Sequence, residues 1–223
     1  MITIKKFLTV TVSILLILAI ITAVAFIRLS FKTKAIDDDY SSVYDDPRYA
    51  EALYIDGVDV FTQDVSCGYA VIQMFSSWEG SDVTEQSLYE EYGKVVTSTG
   101  DSFCDEMNKR FPSYETTIHK YCTNTEMIDL IYDSLSEGVP VPFEWAALYG
   151  DDWTLHYSLI IGLDIPSDKI TIANPYGYIE ELTLDEFFSR TSYEAYDGMP
   201  FFLKAGFAFG IFEKNTMFSV TLR

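Results

Sequence analysis

At 223 residues and 48% hydrophobic content, the chain has room for one sizeable domain and an appendage. Its 34 acidic residues outweigh 15 basic ones, for a formal net charge of −19, and positions 1–34 hold five of the basic residues and no acid. The remainder therefore carries ten basic against 34 acidic residues, a net −24, which excludes nucleic acid as a partner, disfavours anionic headgroups and favours cationic substrates.

Residues 7–27, FLTVTVSILLILAIITAVAFI, run 21 positions without a charge, long enough for a helix to cross the hydrocarbon region of a bilayer. Lys5 and Lys6 precede the run, and Arg28, Lys32 and Lys34 follow it. That length, with basic residues directly behind it, predicts a retained signal anchor over 1–34. Ala23-Val24-Ala25 keeps open a second reading, a secretory signal that is cleaved to release the protein. The short flanks carry nearly balanced charge and give no positive-inside bias. The signal-like start is what places the rest of the chain outside the cell as a single-pass membrane protein.

Residues 35–50, AIDDDYSSVYDDPRYA, lack a persistent period and read as an acidic tether or irregular lead-in, with the domain proper over 51–223. ALYIDGVDVF suggests short extended segments around a turn at Asp56-Gly57. From Gly68 to Trp78, Ala70, Met74 and Trp78 share a face with Val71 and Phe75 beside it, predicting a helix that Glu79-Gly80 ends. Short helices follow near 84–92, capped by Asp82 or Thr84, and near 102–110. Thr123-Asn-Thr-Glu126 is a capping box before a helix with the stripe Ile128, Ile131, Leu135 and a stop at Gly138.

VPVPF at 139–143 predicts an edge strand or extended segment, because Pro140 and Pro142 lack amide donors. LHYSLIIGL (155–163) and KITIAN (169–174) read as two strands joined by DIPSD in a hairpin. Thr183-Leu-Asp-Glu186 is a further capping box, and the apolar FFLKAGFAFGIF at 201–212 fits a core strand or a helix equally well; it is too short and too interrupted for a second span. Helices first and a mainly antiparallel sheet second make an α+β domain.

Cys67, Cys104 and Cys122 are too few and too irregularly spaced for a disulfide scaffold or a paired-Cys zinc site. Cys104 with Cys122 is the pairing to test, and either is equally a small buried hydrophobe. Asp37–Asp39 and Asp45-Asp46 lack the alternating ligands and glycine of a calcium loop. No metal and no cofactor are predicted.

Cys67, in TQDVSCGYA, stands directly before the first helix of the domain, where unpaired amides and the peptide dipoles favour a thiolate. Gly68 removes a side chain beside the sulfur, which would let a substrate carbonyl approach. Of two histidines, His119 lies in a polar stretch with no orienting partner, whereas His156 opens an apolar strand. Asn174 ends the next strand, so an antiparallel hairpin brings the imidazole and the amide together, with Pro175 stiffening the chain behind them. Gln63, four residues before Cys67, is a candidate donor to an oxyanion together with the Cys67 amide. Buried filler or half of a disulfide is the alternative for Cys67, a satisfied structural histidine for His156, and an ordinary turn for Asn174-Pro175.

The segments QDVSCGYAVIQM, LHYSLIIGLD and ITIANPYG, in this order over roughly residues 55–180, resemble the standalone C39-like cysteine peptidases of the papain-like superfamily. The resemblance implies a papain-like fold and passes the roles of oxyanion donor, nucleophile, base and orienter to Gln63, Cys67, His156 and Asn174. In many relatives the glutamine stands about six residues before the cysteine rather than four. Members fused to bacteriocin exporters cut leader peptides after a double glycine, but transporter segments and a nucleotide-binding loop are not seen in this sequence, so that substrate is not carried over. The expectation is a membrane-tethered cysteine peptidase acting on a peptide or protein substrate. Its alternatives are an amidase or acyltransferase with the same machinery, and a surface binding module without turnover.

Overall fold

The computed structural model describes residues 2–94 and 96–223. Helix α1 (Ile2–Ile36) is 35 residues long, about 52 Å at 1.5 Å per residue. Positions 12–21 are exposed on every side, as expected of a helix whose apolar surface meets lipid rather than protein. From Thr22 onward one face changes character: Thr22, Ala25, Phe26, Leu29, Thr33 and Ile36, spaced at three and four residues, are half-buried or buried. This face packs on the domain. The acidic stretch that follows lies on the domain too, as two 3₁₀ turns (Ser41–Asp45 and Pro47–Tyr49) that bury Val43 and Tyr49. Arg48 ties it down through Asp129 at 2.7 Å and through Asp133.

After a two-residue strand β1 (Leu53–Tyr54) comes helix α2 (Cys67–Glu79), capped by the Ser66 side chain accepting from Tyr69 N and ended by Gly80 in the left-handed region. Helices α3 (Glu85–Tyr92) and α4 (Gly100–Arg110) open on reciprocal Thr–Ser boxes, Thr84 with Ser87 and Thr99 with Ser102. The second box starts α4 two residues ahead of the predicted position, because serine at N3 does the work expected of Glu or Gln. Strand β2 (Tyr114–His119) precedes α5 (Asn124–Ser136), which carries the predicted Thr123–Glu126 box.

The second half is a sheet. Strands β3 (Val141–Tyr149), β4 (Asp152–Asp164), β5 (Lys169–Asn174) and β6 (Tyr178–Leu182) form a meander, followed by α6 (Leu184–Thr191), α7 (Phe201–Phe209) and β7 (Met217–Leu222). The sheet order is β2-β7-β3-β4-β5-β6, with β1 joining β4, and every pairing is antiparallel. The α+β class and antiparallel sheet expected from the sequence are present.

Strand β3 lies inside the sheet rather than at its edge. It tolerates Pro142 because Glu144 N, two residues on, donates toward β7 at Thr216 O, so the missing Pro142 amide also faces β7. There β7 meets β3 only at Phe143↔Met217, and no ladder bond is lost. The predicted box at α6 is half formed: Thr183 accepts from Glu186 N, while the Glu186 carboxylate turns to Arg190 at 2.5 Å.

The core joins α2, α4 and α5 to the sheet. Phe75 is fully buried among Trp78, Phe111 and Tyr114, at ring separations of 5.2, 4.8 and 5.5 Å, and truncating it to alanine costs about 3–5 kcal/mol. Cys104 and Cys122 are separate buried thiols, not a disulfide. The Cys104 sulfur donates to Thr116 O at 3.3 Å, so it is spent on joining α4 to β2.

Candidate active site

The loop before Cys67 is held open by a single carboxylate. Glu85, buried at the first position of α3, accepts from the amides of Asp64 (2.9 Å), Val65 (2.7 Å) and Ser66 (2.6 Å). Three consecutive amides on one carboxylate fix the turn that delivers Cys67 to the first position of α2. There the sulfur faces the amides of Tyr157, Gly68 and Cys67 itself. Burial pushes the thiol up to about 11 despite their opposing pull. Among the described residues, no hydrogen bond joins the Cys67 sulfur to a side chain.

The Tyr157 amide near that sulfur belongs to β4, next to His156 in sequence. His156 is buried, and its Nε2 lies 3.1 Å from Asn174 Oδ1. β4 starts at Asp152, three residues before the predicted strand, so His156 lies inside it rather than opening it. The β4–β5 ladder stops at Leu159 facing Ala173, and just past that point His156 meets Asn174, the last residue of β5. Burial holds the imidazole down to about 4, against the lift from the Asn174 hydrogen bond.

The amide of Asn174 is oriented without ambiguity. Its Nδ2 donates to Glu180 Oε2 at 2.9 Å, while its Oδ1 also accepts from Tyr176 N at 3.0 Å. Because a carboxylate only accepts here, the Nδ2 end must face Glu180 and the Oδ1 end His156. Nε2 of His156 is then the protonated nitrogen, and Nδ1 is left as the basic one. Glu180 is fixed in turn by Arg190 (Nη1 to Oε1, 2.9 Å), whose guanidinium lies 5.2 Å over the Trp145 ring. The Tyr176 ring stacks on His156 at 4.2 Å, and its hydroxyl meets Thr154 Oγ1 at 2.8 Å, which covers the His–Asn bond from solvent.

Gln63 reaches the same place from another direction. Its backbone amide donates to Pro175 O at 2.8 Å, and Thr62 bridges to Tyr176, which lashes the loop before Cys67 to the turn after Asn174. The Gln63 Oε1 is buried and has no partner among the described residues, so the side-chain amide is uncommitted. The four residues singled out in the sequence thus sit on segments that adjoin one another.

Two expectations take a different form. Gly68 is not open toward a substrate: a Cβ there would lie 2.5 Å from Thr97 Oγ1 and 2.6 Å from its Cβ, so its bareness serves packing. His119, passed over as a base, sits in β2 with Nε2 2.8 Å from Ser219 Oγ, three strands from β4.

Several residues bearing on the site carried no local signal. Glu85 looks like an ordinary first-turn acid, and Glu180 like an exposed strand position. Only extending the meander past Pro175-Tyr176-Gly177 would have brought Glu180 back beside Asn174. Glu144, paired with Tyr157 across β3 and β4, likewise has nothing in its local sequence to mark it. Burial raises its pKa to about 7, tempered by the facing Tyr157 hydroxyl.

A cysteine at a helix start, set against an antiparallel sheet whose neighbouring strands pair a histidine with an asparagine, is the architecture of papain-like cysteine peptidases. Residues 55–200 match the model of the Peptidase_C39 like family, and the chain belongs to that family. Among solved structures it is similar to a double glycine motif protease from an AMS/PCAT transporter in complex with its leader peptide. The identity is 12% over 78% of this chain and 94% of that one, with a TM-score of 0.49. No curated protein matches the chain.

Proposed function

We propose that the protein is a membrane-anchored cysteine peptidase that cleaves peptide bonds through Cys67, His156, Asn174 and Gln63. As the Cys67 sulfur attacks the substrate carbonyl carbon, its proton passes to Nδ1 of His156. The oxyanion is held by the Gln63 side-chain amide and the Cys67 backbone amide. His156 then gives the proton to the leaving amine as the C–N bond breaks. Water, deprotonated by His156, attacks the thioester and releases the acid and the thiol.

The observation that carries this reading is the oriented Asn174 amide, bonded to His156 at one end and Glu180 at the other. It leaves Nδ1 as a base, the role a covalent acyl-transfer enzyme needs filled. The raised thiol and lowered imidazole describe a resting site with both groups neutral, so proton transfer accompanies attack rather than preceding it. Residues 7–27 anchor the protein in a single pass with the domain outside the cell; protease access in intact cells tests that orientation.

Labelling the full chain with a thiol-directed amide electrophile tests the chemistry. We expect a Cys67 adduct that disappears in Cys67→Ala and forms far more slowly in His156→Ala. Equal labelling of wild type and His156→Ala, located on Cys104 or Cys122, would overturn the assignment.

A further inference from the structure

Helix α7 is unusual for a surface helix in what it leaves uncovered. Phe201 and Phe202 are 71% and 70% exposed, and Phe209 and Ile211 are also open. At about 100° per residue, Phe201, Ala205, Phe209 and Phe202 fall within a 100° arc, with Lys204 on its flank. The opposite side, Gly206 and Phe207, is buried against the domain. A soluble surface rarely presents such an arc of large apolar side chains without a partner.

The position of α1 says what the partner is. Phe201 stacks on Phe26 with ring centroids 6.2 Å apart, and Phe26 lies inside the uncharged run 7–27. The domain-facing side of α1 begins at Thr22, so the domain overlaps the last six residues of that run. Six residues of helix rise about 9 Å, within the roughly 5–10 Å to which interfacial helices sink their apolar faces. The run itself, about 32 Å long, matches a hydrocarbon thickness of about 30 Å and leaves no slack to lift α7 clear of the bilayer.

We infer that α7 is an interfacial helix, its Phe201, Phe202 and Phe209 face, with Ile211 just past the helix end, docked at the headgroup–acyl boundary of the leaflet from which α1 emerges. The partner is the lipid bilayer. Lys204 on the flank can snorkel to the headgroups. With the domain at net −24, attachment is apolar and needs no anionic lipid. The inference rests on α1 spanning the membrane and is independent of catalysis.

The test uses the full chain in phosphatidylcholine vesicles and the variant Phe202→Trp. That position is exposed, so the substitution leaves the core intact, and the wild-type protein supplies the baseline from its own three tryptophans. We expect the emission added by the new tryptophan to be blue-shifted, largely lost when the acyl chains carry bromine near the headgroup, and insensitive to aqueous iodide and to salt. Quenching by iodide without quenching by brominated lipid would place the face in water and overturn the inference. Protection from both quenchers would also overturn it, in favour of a second copy of the chain covering α7.

Discussion

Asn174 donates its Nδ2 to Glu180 Oε2 over 2.9 Å, and this bond decides which end of the amide meets His156. Glu180→Leu removes the only carboxylate that meets that nitrogen among the described residues and leaves Arg190, mostly buried, with one partner fewer. The Asn174 amide is then free to turn, and small losses of alignment at a reacting centre cost about 10²-fold. We expect kcat to fall by about that factor with KM nearly unchanged, and Glu180→Gln, which keeps an acceptor oxygen, to recover most of it. A loss confined to KM would show that Glu180 serves substrate binding instead.

Acid should switch the proposed activity off late. In the proposed mechanism His156 must be neutral to accept a proton, and its pKa of about 4 lies below the ordinary 6.5. The acid limb of kcat/KM, which reports the free enzyme, should therefore fall near pH 4 rather than near 6.5. A limb at 6.5 would mean that the imidazole is solvated in the working enzyme.

Stability carries the same signature with a second group opposing it. Between about pH 6.5 and 4 the unfolded chain binds a proton at His156 that the folded chain refuses, so stability falls on acidification, by about 3 kcal/mol. Glu144 runs the other way: its folded pKa of about 7 exceeds 4.5, so its contribution is present at low pH and is lost as pH rises through that window. The two slopes oppose each other between about 4.5 and 6.5. In Glu144→Gln only the histidine slope remains, and the denaturant midpoint should climb with pH across that range more steeply than in wild type. An unchanged slope would show that Glu144 is ionised throughout.

Gln63 is tested by what it should leave alone. Removing an oxyanion donor costs about 10²–10³-fold in kcat, and that is the loss expected of Gln63→Ala on a peptide substrate. Alkylation of Cys67 by a small haloacetamide forms no oxyanion and should proceed at the wild-type rate. Parallel loss of both would show that Gln63 supports the loop before Cys67 rather than the transition state.

How much of this was legible depended on whether a residue acts through its neighbours in sequence or across the fold. Capped helices announced themselves at Thr84 and Thr123, and the His156–Asn174 pair followed from one hairpin of two short apolar strands. Strands β2, β6 and β7 did not stand out, because β2 and β7 owe their order to pairing with each other between distant parts of the chain. The segment 201–212 was ambiguous because its apolar residues have no clean period: one side packs on the domain while the other is left bare beside α1. Glu85 and Glu180 were invisible for a related reason, since each acts on backbone or side chains brought to it by tertiary folding.

Gly68, directly after Cys67, offers the sharpest separation of packing from chemistry. Gly68→Ala gains about 1 kcal/mol of helix propensity, but drives a methyl to 2.5 Å from Thr97 Oγ1 and 2.6 Å from Thr97 Cβ. Overpacking of that kind costs about 1–3 kcal/mol and displaces the start of α2, so both stability and turnover should drop. Thr97→Ala removes the hydroxyl and leaves the Cβ in place, so it should relieve the double variant only in part. Thr97→Gly removes both contacts and should restore it. If Gly68 were bare for the sake of an approaching carbonyl, the methyl would still obstruct substrate after Thr97 is cleared. Turnover in Gly68→Ala/Thr97→Gly would then stay low while stability recovered, and the packing explanation would fail.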